Sequence, residues 1–457
     1  MKRPLCLVVI GGTAAGPKAA SSARRINPDM DITIVTEEPF VSYGGCGLAY
    51  YIGGIVKERS RLFARSPSEF RDKHSIAVFL GHRATRIDSV GRTVRVDDIA
   101  SGVSRTMEYD RLLIATGASP VLPPIGGIDA PGVFSLRTVT DAEAIREYIA
   151  SRRVEDAVII GGGYLGTEVA ENLIGRGIRC TIVEREQHLL PRLFDPDMAR
   201  LVLEEVVKQG VMVLTGIGID RIVTGNEGAV SAVVAGGEEH VCQMVVAATG
   251  VRPNVSLARE ARIALGPTGA IRVDARMETS VRGIFAAGDC VETINLVSGR
   301  PGWYPLGSTA NRQGRVAGAN IAGKDKTFPG VVGTAITKVF DVAAGCTGLG
   351  DSEARESGLE PVSAVLTAPT QAGYYPGGGT VTLKLLADAE TKRLLGAQAV
   401  GTRSVDKIID TIAATLTGKL TPNDLTNLDL AYAPPYSTPL GAITIAAGML
   451  AKKLERE

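Results

Sequence analysis

A buried strand, a glycine-rich turn and a helix occur twice in this 457-residue chain, and that repeat limits the possible folds more than any other feature. Residues 5–10 (LCLVVI) are a continuous apolar run, the pattern of a strand covered on both faces. Gly11-Gly12-Thr13-Ala14-Ala15-Gly16 follows, then a helix-compatible segment at 17–25 and a second strand at 32–35. Residues 157–160 form another such strand, and Gly161-Gly162-Gly163-Tyr164-Leu165-Gly166 satisfies GxGxxG in full. A helix is expected over 167–176, stopped by Gly177 before a strand at 180–183. Small residues at these turns let backbone N–H groups approach a pyrophosphate, and the helix dipole favours the anion. The first turn departs from the pattern at Thr13, but two turns in the same strand–turn–helix setting imply two dinucleotides. An acid closing the second strand of each unit is placed for an adenosine ribose: Glu37 or Glu38 in the first, Glu184 in the second. Glu184 would repel a 2′-phosphate, so NADH is favoured over NADPH, with Arg185 acting in the opposite direction.

Residues 41–54, VSYGGCGLAYYIGG, hold Cys46 between two glycines, which lets a planar ring or a disulfide approach the sulfur. The positions five away are Val41 and Tyr51, so a redox role for Cys46 needs an oxygen or an external thiol as partner. The alternative is a buried, inert thiol. The cysteines at 6, 180, 242, 290 and 346 have no metal spacing, and several lie in strand-like runs. Neither a metal site nor a disulfide framework is expected, and a reducing cytoplasm is the expected compartment. A net charge of +1 with dispersed charges gives no nucleic-acid or membrane partner. No signal peptide and no membrane-spanning run is expected.

Residues 111–117 (RLLIATG) and 245–250 (VVAATG) are strand-then-turn repeats where the chain would pass between nucleotide domains. The run TSVRGIFAAGD, 279–289, puts Asp289 just beyond a buried strand, placed for a ribityl hydroxyl. Pro305-Leu306-Gly307-Ser308 is expected to open a helix through Ile321, whose start would carry about half a positive charge, suited to the N1/C2=O edge of a reduced flavin. From about residue 324, alternating strands at 334–340, 379–386 and 395–400 and an amphipathic helix at 404–416 indicate an α+β domain of the interface-forming kind. The expected fold is α/β, with two Rossmann-like dinucleotide-binding domains, for FAD and NAD, plus a C-terminal α+β dimerisation domain. The expected division is 1–117 and 251–325 for the FAD domain, 118–250 for the NAD domain and 326–457 for dimerisation.

Taken together the chain resembles the pyridine nucleotide-disulfide oxidoreductases. Within them it is similar to the single-cysteine branch: coenzyme A-disulfide reductases, NADH-dependent persulfide reductases, NADH oxidases and NADH peroxidases. The segments carrying the resemblance are SYGGCGLAYYIGG around Cys46, AGYYPG at 372–377, LLGAQAVG at 394–401 and AYAPPYS at 431–437. The resemblance implies an FAD-dependent NAD(P)H oxidoreductase that reduces coenzyme A disulfide, coenzyme A persulfide or polysulfide through Cys46. It implies a homodimer in which Tyr374 and Tyr432, with Tyr436 adjacent, lie near the partner's cysteine and protonate the leaving thiolate. Flavin contacts are implied for Gly11, Gly12, Ala14, Ala15, Gly16, Glu37, Glu38 and Ala84, for Ala115, Thr116 and Gly117, and for Asp289, Leu306, Ser308 and Ala310. Nicotinamide nucleotide contacts are implied for Gly161, Gly163, Tyr164, Leu165, Gly166, Glu168, Glu184 and Gly250, with Tyr164 gating the pocket. Coenzyme A contacts are implied for Lys18, Arg24, Ser42 and Lys73. A helix beginning at Cys46 is expected to lower its pKa. Peroxidases and many oxidases of the family carry a histidine in the first glycine turn, where this chain has Ala14; its histidines are at 74, 82, 188 and 240. The rival readings are an NADH oxidase cycling Cys46 through sulfenic acid, and a non-catalytic NADH-sensing or electron-transfer flavoprotein.

Overall fold

The strand Cys6–Ile10 is the middle of a parallel sheet, between Asp31–Val35 and Arg111–Ile114. The structure is a computed structural model that describes residues 3–225 and 227–456. Ile76–Phe79 and Ile284–Ala286 complete this sheet at its two edges, so the chain leaves it after Ile114 and later returns. Leu7, Val9, Ile32, Ile34, Leu112 and Ile114 are fully buried, as a sheet covered on both faces requires. The helix Ala15–Ile26 lies against Gly307–Ile321 with the backbones in near contact. A Cβ on Gly318 would stand 2.2 Å from the carbonyl oxygen of Ala19, which explains the small residues along both helices.

The arrangement repeats around Asp156–Ile160, which pairs in parallel with Arg179–Glu184 and Met244–Ala247, with Met212–Thr215 and Val133–Ser135 outside them. Two antiparallel strands, Ala118–Pro120 and Val251–Pro253, form the crossing between the two sheets. They are fastened where Thr116 donates to the Asn254 carbonyl at 2.7 Å and Asn254 returns a bond to the Thr116 carbonyl at 2.9 Å. The third sheet is antiparallel, in the order Ala335–Val339, Val342–Gly348, Leu394–Gly401, Thr380–Asp388, Pro361–Pro369. Leu383, Leu385, Ala397 and Ala399 pack with the helices Val405–Thr417 and Ala442–Leu454. By strand alternation, Lys384 and Gln398 face the other way, toward the second nucleotide sheet.

Most sequence-read elements are present within one or two residues. The helix expected at 167–176 instead spans Tyr164–Ile174, because it starts inside the glycine turn and stops at Gly175. Two three-stranded antiparallel sheets, His82–Asp88 with Thr93–Asp98 and Ser104–Glu108, and Ile219–Thr224 with Val230–Ala235 and Glu238–Val241, are additional to the sequence reading.

Candidate active site

Cys46 occupies a one-turn 3-10 helix, Gly45–Gly47, and is the one exposed cysteine of the six. The loop carrying it is closely held. A Cβ on Gly47 would meet Leu62 at 2.8 Å, Gly44 N–H donates to the Leu62 carbonyl at 2.8 Å, and Tyr43 donates to Glu38 at 2.6 Å. The α-helix begins only at Leu48 and has six residues, so the expectation of a helix starting at Cys46 is corrected. The expectation of a lowered thiol pKa is corrected with it. Desolvation by the surrounding walls, then the carboxylates of Glu168 and Asp289, push the Cys46 thiol up, against the guanidinium of Arg137, which pulls it down.

This thiol opens into a cleft of about 2540 Å³ that runs from the first glycine turn to the second. Each turn opens at a position where only glycine fits. A Cβ on Gly11 (φ +115°) would lie 2.0 Å from the Ala115 carbonyl oxygen, and one on Gly161 (φ +105°) 2.5 Å from that of Ala248. Gly11, Gly12, Ala14, Ala15, Glu37 and Glu38 line the first half together with Ala84, Ala115, Thr116 and Gly117. Asp289, Leu306, Ser308 and Ala310 continue that wall, and Gly161, Gly163, Tyr164, Leu165, Glu168, Glu184 and Gly250 line the second half. Gly16 and Gly166 are outside the lining. Their absent Cβ atoms face the carbonyl oxygens of Gly11 and Gly161 at 2.0 and 1.9 Å, so they seat each helix on its strand. Two cradles of this kind, each at a helix start, fit two dinucleotides.

The acids differ in their surroundings. Glu37 pairs with Arg83 at the surface at 2.8 Å, whereas Glu38 turns to Tyr43, and burial pushes its carboxyl up. Glu184 is buried and accepts N–H bonds from Gly162 at 2.7 Å and Glu186 at 2.8 Å, so its carboxylate is fixed against the second turn. Arg185 is exposed and pairs with Glu186. Glu168 accepts from Thr337 of the third sheet at 3.1 Å, and burial pushes its carboxyl up. The hydroxyl of Tyr164 is buried without a partner, so moving this side chain breaks no hydrogen bond.

Arg137 was missed. It comes from the segment before the helix Val139–Ser151 and reaches Asp289 at 2.9 Å, across 152 residues of sequence. The capping box of Thr138 and Asp141 was a readable signal for the helix start just after it, but the partner carboxylate had no local signature.

Lys18, Arg24, Ser42 and Lys73 do not line the cleft between the two glycine turns, so a coenzyme A contact by them would lie outside it. Arg24 bonds the carbonyls of Pro28 and Ser75, and Lys73 pairs with Glu69 one turn back on its own helix. Ser42 (φ +56°) bonds by its backbone to Gly12 and Ala64, and Lys18 lies in the helix Ala15–Ile26. Tyr374, Tyr432 and Tyr436 are also outside the cleft of their own chain, 78 %, 47 % and 71 % exposed. Their loops are joined by the bond from Ala372 N–H to the Pro434 carbonyl at 3.1 Å. The Tyr374 hydroxyl beside it pushes the Tyr432 phenol up, which keeps it protonated. Among the described residues there is no His/Cys/Asp/Glu group suited to a metal ion, and no helix long and apolar enough to cross a membrane.

Comparison with known proteins agrees with this geometry. Residues 6–314 match the family model described as pyridine nucleotide-disulphide oxidoreductase, and 334–442 match its dimerisation domain. The NAD(P)H sulfur oxidoreductase (CoA-dependent) of Pyrococcus abyssi is 40% identical over 97% of this chain and 98% of its own. An NADH oxidase of Methanocaldococcus jannaschii is 36% identical over 98% of this chain and 99% of its own. The solved structure of an NAD-dependent persulfide reductase from A. fulgidus superposes with a TM-score of 0.96 at 41% identity, covering 99% of this chain and 84% of that one. With both nucleotide sheets, the cleft and the third sheet all falling inside the matched segments, the chain belongs to the pyridine nucleotide-disulphide oxidoreductases.

Proposed function

We propose that this chain is an FAD-dependent NAD(P)H oxidoreductase that reduces coenzyme A disulfide, coenzyme A persulfide or polysulfide through Cys46. The observation that carries the reading is a single exposed thiol, free of any partner sulfur, on the wall of a cleft with two dinucleotide cradles. NADH, bound at the second turn, would supply the two electrons, and FAD, bound at the first, would relay them to the disulfide that Cys46 forms, regenerating its thiolate. Gly11, Gly12, Ala14, Ala15 and Gly117 cradle the flavin nucleotide, Glu38 and Asp289 orient it, and Gly161, Gly163 and Glu184 hold the nicotinamide nucleotide. The thiolate of Cys46 attacks one sulfur of the substrate, forming a mixed disulfide and releasing the other sulfur as a thiolate. Tyr432 of the partner subunit, with Tyr374 beside it, gives that leaving thiolate a proton. This implies a homodimer with shared sites, and the outward tyrosines and the matched dimerisation domain support it. The domain division 1–117, 118–250, 251–325 and 326–457 belongs to the same reading, as does a cytoplasmic setting for six free cysteines.

Intact mass of protein purified without reductant tests the proposal. A coenzyme A-sized adduct on Cys46, and loss of disulfide reduction with retained FAD in Cys46→Ser, are the expected results. An oxygen adduct, with NADH-driven oxygen consumption outrunning disulfide reduction, would move the chain to the oxidase reading.

A further inference from the structure

Lys384 is a buried ammonium, 4% exposed, where the third sheet meets the second nucleotide domain. Its Nζ reaches Asp351 at 2.6 Å, Asp195 at 2.9 Å and Asp197 at 3.0 Å, one carboxylate for each of its three protons. Asp351 lies in the same domain as Lys384, whereas Asp195 and Asp197 open the helix Pro196–Lys208 of the nucleotide domain. Gln398, the cross-strand neighbour of Lys384, holds Asp195 twice: its Oε1 accepts the Asp195 N–H at 2.9 Å and its Nε2 donates to the carboxylate at 2.8 Å. The Asp351 N–H adds a bond to the same carboxylate at 3.0 Å. Asp195 is thereby fastened at every polar atom that faces the third sheet.

Asp195 ends the segment 190–195, which walls the cleft directly after the strand that carries Glu184. Leu190, strained at φ +52°, donates its N–H to the Gly162 carbonyl at 2.9 Å, and Phe194 N–H closes back on the Leu190 carbonyl at 3.2 Å. The ion pair of Lys384 and the hydrogen bonds of Gln398 therefore hold Asp195, which is joined through the chain to Phe194, and the hydrogen bonds of Phe194 and Leu190 carry the link on to the backbone of the second glycine turn. We propose that Lys384 and Gln398 are positioning residues for the nicotinamide dinucleotide, acting through Asp195 on the 190–195 wall and on Gly162. The inference rests on the reading that the second turn binds NAD(P)H. An apolar joint would hold two domains together at least as firmly as a buried charge cluster does. A directional cluster of this kind fixes one relative geometry, and here that geometry ends at a phosphate-binding turn.

The test uses the FAD-loaded dimer and two variants, Lys384→Met and Gln398→Met, the second carrying no change in charge. Calorimetric titration with NAD+ reads affinity without turnover, stopped-flow NADH mixing reads the first half-reaction, and dithionite-reduced enzyme mixed with coenzyme A disulfide reads the second. Affinity for NAD+ should fall roughly tenfold in both variants, within the span usual for coupling between two sites. The disulfide half-reaction and the flavin reduction rate at saturating NADH should stay within about twofold of wild type. Unchanged NAD+ affinity in both variants overturns the inference. Equal loss in both half-reactions, or variants that cannot be recovered with bound flavin, assigns the cluster to stability and overturns it too. A wild type that binds no NAD+ overturns the underlying reading, and the inference with it, and is distinguished from the other failures by needing no variant.

Discussion

The outward position of the C-terminal tyrosines makes a quantitative prediction about mixed dimers. In one chain Tyr374, Tyr432 and Tyr436 stand in solvent, and farther along the C-terminal segment Leu440, Ile445 and Met449 are 64%, 38% and 37% exposed. Exposed phenols and apolar side chains concentrated in one segment mark a surface that another protein covers. Replacing Tyr374 and Tyr432 by Phe removes the proposed proton donors and should slow the disulfide half-reaction by roughly 10²-fold, the low end of what general-acid catalysis contributes. Flavin reduction by NADH should be untouched, because neither phenol lines the cleft of its own chain. Co-expressing this double mutant with Cys46→Ser separates the two possible geometries. If sites are shared, each heterodimer has one site with both lesions and one with none. Random pairing makes about half of the dimers heterodimers, so about a quarter of all sites should be intact, against almost none in either parent. Activity is read as coenzyme A disulfide-dependent NADH oxidation, with heterodimers counted by native mass spectrometry using two affinity tags. Verified heterodimers without recovered activity would refute the reasoning, as would full activity in a monomer.

Two further predictions concern the cleft itself. Because the Glu168 carboxylate raises the Cys46 thiol, Glu168→Gln should move thiolate formation to lower pH and speed alkylation by iodoacetamide at neutral pH; Arg137→Met removes the opposing cation and should move it higher. An inflection that stays in place in both variants of the reduced enzyme would show that burial alone sets this thiol. Steady-state kinetics should favour NADH over NADPH in wild type, and Glu184→Ala should narrow that preference by roughly a few kcal/mol at most, through lost ribose bonding and relieved repulsion; a wild type with equal or better kcat/KM on NADPH would mean that Arg185 outweighs Glu184.

The two nucleotide sheets were legible because their signals are local and repeated. A continuous apolar strand, a turn where only glycine fits and a helix start lie within about twenty residues of one another in both units. The small antiparallel sheets were not legible. His82–Asp88 alternates weakly, with Ile87 its one buried residue, and Ser104–Glu108 is almost wholly exposed, so the alternation is confined to Val94 and Val96 of the strand between them. The site divides along the same line. Cys46 and the cradles were readable from residues next to each other in sequence. Arg137, whose meaning lies in a carboxylate 152 residues away, and Lys384, whose three partners come from two domains, were not. The surroundings of Lys18, Arg24, Ser42 and Lys73 also have no common local signature: Arg24 reaches the Ser75 carbonyl 51 residues away, while Lys73 pairs with Glu69 on its own helix.

The third domain works on both ends of the reaction at once. Its inward sheet face carries Thr337 to Glu168 and Gln398 to Asp195, so it sets an acid beside the thiol and a wall beside the second glycine turn. Its loops at 371–376 and 431–437 hold the tyrosines exposed, outside the same chain's cleft, where the proposed shared site would need them. Those loops are tied to the sheet by Thr370, which exchanges bonds with Gly379 at the start of the strand that holds Lys384. Under the proposed function, dimer assembly, the proposed proton donor and the proposed nicotinamide wall therefore share one scaffold. A substitution that loosens the dimer should then weaken NAD+ binding as well as disulfide reduction, whereas one confined to the tyrosine hydroxyls should affect the sulfur chemistry alone.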